Sequence, residues 1–389
     1  MTYRQAALPA VVAGLLLTAL LWWAGSSAQA LELPGTTGVL GGRTTAELGY
    51  WLTPWSYDPP AAYRFGAEAS GGLAGTAGGD GSRYLTLYTT AMQIRFAAVF
   101  AFFVPGALLL IRRLPPVSGR APATVLALWA WGLVAGTLAV TVSAPWLIAS
   151  QGHGSYRFLP QWAGAMSSGR QIVVATALVA AAAAVLLARI TARGAEPPAR
   201  TVVPARSARM AATAGTLVVA VSLMVLSYQP VTARIQEVSP GVGVLAEPGD
   251  LLRQWLLLGA WSGPAGTPVG DWLLRRAVDA LLLAVVWWAL RRLPSLLTWV
   301  TVPAMAAVAV CATVFGLLVC QVLRMAVDQA DSRQGPMRWA ADLGNNVPAA
   351  LLFGVVAGAV AALLLRTTAR HDRPQDGGSP APATHATDA

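Results

Sequence analysis

Long uncharged apolar segments recur along the whole chain, and most of the charge lies between them. A helix needs about 20 such residues to cross a hydrocarbon core of about 30 Å. Because a segment in lipid must satisfy its own backbone hydrogen bonds, these segments are expected to be helices. The pattern predicts an all-α polytopic integral membrane protein. Its eight predicted transmembrane helices are 8–24, 91–111, 123–148, 171–190, 210–228, 273–290, 296–323 and 347–365.

Arginine placement predicts the orientation of these spans. With the N-terminus inside, the inner segments hold 14 of the 27 arginines and four of the 17 acidic residues. The inner connections are short and rich in arginine, whereas the two long outer loops, 25–90 and 229–272, are sparse in it. By the positive-inside rule, both termini are expected to be cytoplasmic. Arg4, the apolar run and Ala28-Gln29-Ala30 also fit a cleaved secretory signal, which would leave the other seven spans in the same orientation.

Two motifs recur at matching spacing and indicate an internal duplication. RRLP occurs at 112–115 and again at 291–294, and LLARITAR at 186–193 matches LLLRTTAR at 363–370 in six of eight positions. The first motif precedes the second by 74 residues in one half and by 72 in the other. An even number of spans in each unit gives both halves the same topology, with a pseudo-twofold axis along the membrane normal. We therefore predict two tandem four-helix repeats in parallel orientation, 1–194 and 195–370, followed by a disordered cytoplasmic tail, 371–389.

The composition agrees with a membrane protein and narrows its class. Hydrophobic residues make up 56% of the chain and charged residues 11%, with a mean hydropathy of +0.56, which excludes a soluble or disordered protein. The basic residues are all arginine, as expected from a GC-rich genome, and we place the chain in a bacterial plasma membrane. Despite a pI near 10.5, no basic patch lies on a soluble segment, so nucleic acid is not an expected partner.

Cofactor and metal chemistry have no visible basis in the sequence. Cys311 and Cys320 lie in one apolar run, about 13 Å apart along a helix and on opposite faces, and cannot form a disulfide with each other. No loop contains a cysteine, and His153 is the only histidine before the tail. We predict no cofactor and no metal site.

Ionisable residues inside predicted spans are the first candidates for a binding site, because such groups are costly in a bilayer. Asp279 lies about 18 Å above the inner boundary, and Arg95 in the matching helix lies about 25 Å above it. Arg275 and Arg276 precede Asp279 by four and three residues and are spaced to pair with it. A pair between Arg95 and Asp279 across the pseudo-twofold is also geometrically possible. These four residues are the candidates for substrate or ion binding.

Aromatic residues in the outer loops are the second set of candidates. Trp51 and Trp55 lie in the first loop, and Trp255 and Trp261 hold similar places in the second. Residues 45–52 are expected to form a short helix capped by a threonine. Helices of this kind lie on membrane surfaces with tryptophan at headgroup level, or they bind lipid, glycan or protein. The lipid bilayer is the expected partner, with a possible protein partner in the membrane or outside it.

No catalytic motif is present, and the inner loops are too short for a nucleotide-binding or catalytic domain. We therefore expect a protein that is not an enzyme. The first hypothesis is an accessory or scaffold component that acts through its outer aromatic loops. The second is a transporter of small molecules or lipids with a site between the repeats. The third is a membrane-embedded lipid-modifying enzyme, for which no acid–base pair is visible.

Overall fold

The computed structural model describes residues 3–33, 35–59, 80–116, 120–150, 169–192, 204–227, 234, 269–296, 301–328 and 344–371. Every regular element in these ranges is helical. The α-helices are α1 (Tyr3–Ser26), α2 (Thr36–Leu40), α3 (Gly42–Leu52), α4 (Asp80–Arg113), α5 (Ala121–Ala149), α6 (Arg170–Thr191), α7 (Ala205–Ser227), α8 (Val269–Leu296), α9 (Val302–Asp328) and α10 (Val347–His371).

Seven helices in the described part are long and apolar enough to cross a membrane, namely α1, α4, α5, α6, α7, α9 and α10. Their mean hydropathy lies between 1.8 and 2.4. An all-α polytopic membrane fold is therefore confirmed. The remaining predicted span, 273–290, forms part of the 28-residue helix α8 but is not among the seven. The reason is its charge, since every 18-residue stretch of α8 contains at least three charged residues.

The long helices pack in two groups of four. In the first group, α1 packs on α4, α4 on α5, α5 on α6, and α6 returns to α1. In the second, α7 packs on α8, α8 on α9, α9 on α10, and α10 returns to α7. The two groups meet mainly where α5 packs on α9, with smaller contacts of α9 on α4 and of α10 on α5.

Glycines allow close helix approaches in both groups. A β-carbon on Gly132 of α5 would lie 2.5 Å from the Cβ of Ala177 on α6. A β-carbon on Gly358 of α10 would lie 2.5 Å from the Cα of Ala306 on α9. Such small residues permit the close backbone packing that holds helices together in a bilayer, where no hydrophobic effect drives their association.

A folded segment follows α1 and comprises a 3-10 helix (Ser27–Glu32), α2, α3 and a second 3-10 helix (Thr53–Trp55). It is named the outer segment after its predicted side of the membrane. The predicted short helix at 45–52 is confirmed as part of α3. Its predicted threonine cap is wrong: the helix begins one turn earlier, with Gly41 as N-cap. The Thr45 hydroxyl instead donates to the Gly41 carbonyl oxygen at 3.0 Å from inside the first turn.

Several predictions concern residues outside the described part of the chain. Trp255 and Trp261 are among them, as are most of the second outer loop and the tail after His371. The boundary between the two predicted repeats, at residues 194 and 195, also lies there.

Candidate functional site

Trp55 is buried at the end of the first helix group where α1 ends and α6 begins. Its side chain is 0% exposed, and its indole Nε1 donates to the carbonyl oxygen of Gly169 at 2.8 Å. Gly169 precedes α6 with a φ of +69°, in the left-handed region that favours glycine. A β-carbon there would also lie 2.8 Å from Trp55 Nε1. Glycine is therefore needed at this position both for backbone conformation and for space.

Arg95 lies beside Trp55 and is almost completely buried, at 1% exposure. Its Nε donates to the Ser143 hydroxyl at 2.8 Å, and one terminal nitrogen donates to the Pro54 carbonyl oxygen. Its guanidinium carbon lies 5.7 Å from the Trp55 ring centroid, within cation–π range. The other terminal nitrogen, Nη2, is buried and has no hydrogen-bond partner among the described residues. The described contacts of the Arg95 guanidinium are thus with neutral groups.

Two further contacts attach the end of the outer segment to the helices. The Tyr88 hydroxyl of α4 donates to the Ser56 carbonyl oxygen at 2.8 Å. Gly25, near the end of α1, packs against the Trp55 carbonyl so closely that no β-carbon fits there. Residues 53–56 are therefore held by side chains or backbone from α1, α4 and the start of α6.

Asp279 has a local partner. Its Oδ2 accepts from Arg276 at 3.0 Å, one turn earlier on α8, and the two side chains are 26% and 46% exposed. Arg95 bonds to Ser143 and Pro54 instead, so the cross-axis pair between Arg95 and Asp279 is not formed. The side chain of Arg275 is outside the described part. Among the four candidates, the described contacts bring Asp279 together with Arg276.

The aromatic candidates are placed differently from one another. Trp51 on α3 is half-buried. Trp55 is buried against Arg95 and Gly169 and presents no surface to a partner. Trp255 and Trp261 lie outside the described residues. Of the four aromatic candidates, Trp55 is therefore the one whose described contacts hold the outer segment on the helices.

Sequence reasoning missed Ser143 as the partner of Arg95 and Gly169 as the partner of Trp55. Ser143 is a polar residue within an apolar span, and its position in the outer half of that span was a weak signal that it could meet Arg95. Gly169 precedes the fourth span but resembles any other glycine at a helix start. Neither partner can be identified without the fold, because Gly169 is 114 residues from Trp55 in the chain.

A small cleft lies where the two helix groups meet, next to Trp55. It is lined by Trp55, by Leu133, Gly136, Thr137 and Val140 of α5, by Gly169, Arg170 and Val173 at the start of α6, and by Gly344 and Val347 at the start of α10. Its volume is about 10 Å³, roughly the room for one water molecule. A drug-sized ligand does not fit in this state.

Among the described residues that line the cleft, Arg170 is the one charged residue. The helices α6 and α10 both begin at the cleft, and neither has an acid in its first turn. Helix N-termini carry partial positive charge and unpaired N–H groups.

The second helix group contributes a fixed backbone to the cleft. The side-chain oxygen of Gln321 on α9 accepts from the Gly344 N–H at 3.0 Å. Its amide nitrogen donates to the Asn345 carbonyl oxygen at 3.2 Å. Both bonds hold the turn that begins α10. Among the described residues, no group of three or more His, Cys, Asp or Glu side chains is arranged to hold a metal ion.

Comparisons of the chain with protein-family models, with curated proteins and with solved structures found no match.

Proposed function

We propose that the chain is a non-enzymatic component of the bacterial plasma membrane that binds a protein partner through its folded outer segment, residues 27–59. The observation that carries this proposal is the attachment of that segment to the helices. Trp55, a residue type that commonly anchors to lipid headgroups or binds partners, is instead buried and bonded to Gly169. A segment fixed in this way presents its remaining surface in one geometry, which lowers the entropy cost of binding.

The exposed face of the outer segment carries residue types that are common in protein-binding surfaces. On α3, Arg43 and Glu47 form an exposed pair at 3.3 Å, and Tyr50 follows on the same side with 55% exposure. Val39 on α2 is 86% exposed. Tyrosine and arginine are enriched at protein interfaces, and exposed apolar residues beside them suit burial by a partner.

We also propose that α8 crosses the membrane as an eighth span. Its 28 residues give a length of about 42 Å, more than a bilayer core requires. α8 packs on α7 and α9. It has a buried stripe at intervals of four residues, formed by Val278, Leu282, Val286 and Leu290. With eight spans, the arginine distribution keeps both termini cytoplasmic.

We further propose that the chain consists of two tandem four-helix repeats. Three observations support this arrangement. The same cyclic order of helix contacts occurs in both groups. The residue before α6, Gly169, has a φ of +69°, and the residue before α10, Asn346, has a φ of +65°. These two positions are 177 residues apart, the same offset that separates the motifs at 186 and 363.

The third observation is the position of two glycine contacts between the third and fourth long helices of each half. In the first group Gly132 meets Ala177, and in the second Gly354 meets Val310. Ala177 and Gly354 are 177 residues apart, and Gly132 and Val310 are 178 apart. In each half, therefore, the third and fourth helices touch at equivalent positions, although the glycine is on a different helix.

Native mass spectrometry of the protein gently extracted from its host membrane tests the proposed function. We expect a stoichiometric complex with a second protein. The complex should be lost in an Arg43→Glu/Tyr50→Ala variant, which changes only exposed residues. A chain that is free of protein partners, with the variant giving the same spectrum, would refute the proposal.

A transporter with a site between the repeats is the second candidate, and the cleft between the two helix groups favours it. Measured at Gly136, the cleft lies about 22 Å above the inner end of α5, about halfway along that 29-residue helix, and it extends to the starts of α6 and α10. Transport requires this cleft to widen. A lone chain that retains one small molecule or lipid in the same mass-spectrometry experiment would support this candidate over the first.

A further inference from the structure

Three long helices of the second group have one end on the same face of the bundle. Close contacts show that α8 and α10 both run antiparallel to α9, because residue numbers fall on one helix as they rise on the other. The contacting pairs are Leu282 with Gly316, Val278 with Cys320, Val310 with Gly354 and Ala306 with Gly358. α8 and α10 therefore end on one face. Because successive spans alternate in direction, α7 begins on that face, given that α8 crosses the membrane as proposed above.

Exposed arginines lie at matching levels on these helix ends. A β-carbon on Gly215 of α7 would lie 3.6 Å from the Cβ of Ala361 on α10, so these two residues share a level. Arg209 precedes Gly215 by six residues, about 9 Å towards the face. Arg366 follows Ala361 by five residues, about 8 Å towards it. Both side chains are exposed, as is that of Arg206, three residues before Arg209.

α8 adds a fourth arginine beside an aromatic ring. A β-carbon on Gly215 would also lie 2.8 Å from Leu290 Cδ1 of α8, which places the neighbouring Arg291 close to α7. The guanidinium carbon of Arg291 lies 5.1 Å from the centroid of the Trp287 ring. This arginine is half-buried and lies about 7 Å nearer the membrane centre than Arg209. The arginine patch is defined by these members: Arg206, Arg209, Arg291 and Arg366.

Exposed apolar side chains lie next to the arginine patch, towards the middle of each helix. Met210 of α7, Trp288 of α8 and Leu363 of α10 are exposed, and each lies within four residues of an arginine of the patch. In a bilayer, arginine side chains near helix ends extend to the headgroups. The three helix ends therefore present charge at the level of the lipid phosphates and apolar surface at the level of the acyl chains.

Acidic residues are few around the arginine patch. Residues 193–210, 291–300 and 366–389, which include the connecting segments and the tail, contain nine arginines and four acids, a net charge of +5. The chain around this face is therefore positive wherever those segments lie. The first helix group has less charge at the matching helix start, because α1 has one arginine there, Arg4, where α7 has Arg206 and Arg209.

We propose that the arginine patch binds the headgroup of an anionic phospholipid on the predicted cytoplasmic face of the membrane. The arginines pair with the phosphate oxygens, and Met210, Trp288 and Leu363 contact the acyl chains. Because three of the arginines are exposed, a lipid with two phosphates, cardiolipin, binds more tightly than phosphatidylglycerol, which has one. By the predicted topology, the site lies at the opposite ends of the helices from the outer segment and is separate from the proposed protein-binding surface.

Native mass spectrometry of the full chain in detergent, titrated with cardiolipin, measures the fraction of the protein that has lipid bound. We expect cardiolipin to bind more tightly than phosphatidylglycerol, and phosphatidylcholine, which has no net charge, to bind most weakly. An arginine near anionic headgroups changes the affinity by about fivefold. Arg206→Gln/Arg209→Gln should therefore weaken cardiolipin binding by about 25-fold.

The matched control is Arg113→Gln/Arg189→Gln, which removes two arginines from the inner ends of the first helix group and should weaken binding by less than about threefold. Equal losses in the two double variants would overturn the proposal, as would equal binding of cardiolipin and phosphatidylcholine by the wild type. If Arg206→Gln/Arg209→Gln does not fold, Arg366→Gln replaces it with an expected loss of about fivefold, and no loss would contradict the site. Neither result depends on the outer segment, so a failure here leaves the proposed protein partner to its own test.

Discussion

Trp55→Phe removes the indole donor that attaches the outer segment to the start of α6. The ring keeps its apolar character, and its tilted contact with Phe96, now at 6.1 Å between ring centroids, can persist. The bond from Nε1 to the Gly169 carbonyl is lost. The variant therefore tests whether this bond and the indole ring hold residues 53–56 in place.

The expected cost can be worked from three contributions. The lost hydrogen bond contributes about 1 kcal/mol. A weaker cation–π contact with Arg95 adds about 0.5–1 kcal/mol, and the void left by the smaller ring adds about 1 kcal/mol. The sum is about 2–3 kcal/mol. At 1.4 kcal/mol for each factor of ten, local opening should become about 30- to 150-fold more frequent.

Hydrogen exchange of the Ser56 amide is the assay, because that N–H bonds to the Thr53 carbonyl at 3.0 Å within the attached turn. Exchange through local opening reports the opening free energy directly. Trp23→Phe is the matched control, since the Trp23 side chain is exposed, and it should change the rate by less than about threefold. Equal exchange at Ser56 in wild type and Trp55→Phe would refute the reasoning.

Three other changes have defined outcomes. Arg95→Met removes a donor to Pro54, and we expect faster limited proteolysis within the outer segment while the second helix group stays resistant. Gly358→Ala places a β-carbon against the α9 backbone and should lower the free energy of unfolding by about 1–3 kcal/mol. The control is Gly49→Ala, whose β-carbon would face open space and should not lower that free energy. Asp279→Asn breaks a partly exposed pair and should change that free energy by less than about 1 kcal/mol.

The membrane fold could be predicted from sequence because hydropathy is a local property. Each of the seven spans contains an 18-residue stretch that is strongly apolar, so no knowledge of neighbouring helices was needed to find them. Helix α8 shows the limit of this reasoning. Its charged residues, Asp279 among them, depart from the pattern, and its buried stripe is recognisable only once α7 and α9 are in place.

The site was only partly predictable, because its bonds join distant parts of the chain. Arg95 was identified as an unusual residue, yet its partners Pro54 and Ser143 lie 41 and 48 residues away. Trp55 was assigned to an outer surface because loop tryptophans in membrane proteins commonly occupy the headgroup region. Its burial depends on space beside Gly169, which no local pattern reveals.

Photo-crosslinking from the outer segment in native membranes tests the proposed function most directly. A photoreactive phenylalanine at Tyr50, which is exposed on α3, should form one protein adduct with the mass of the partner found by native mass spectrometry. The same probe at Leu178, exposed on the transmembrane helix α6, should not form it, and Trp55→Phe should weaken the Tyr50 adduct. A Tyr50 probe that gives no protein adduct, or the same adducts as Leu178, would contradict a partner-binding role for this segment.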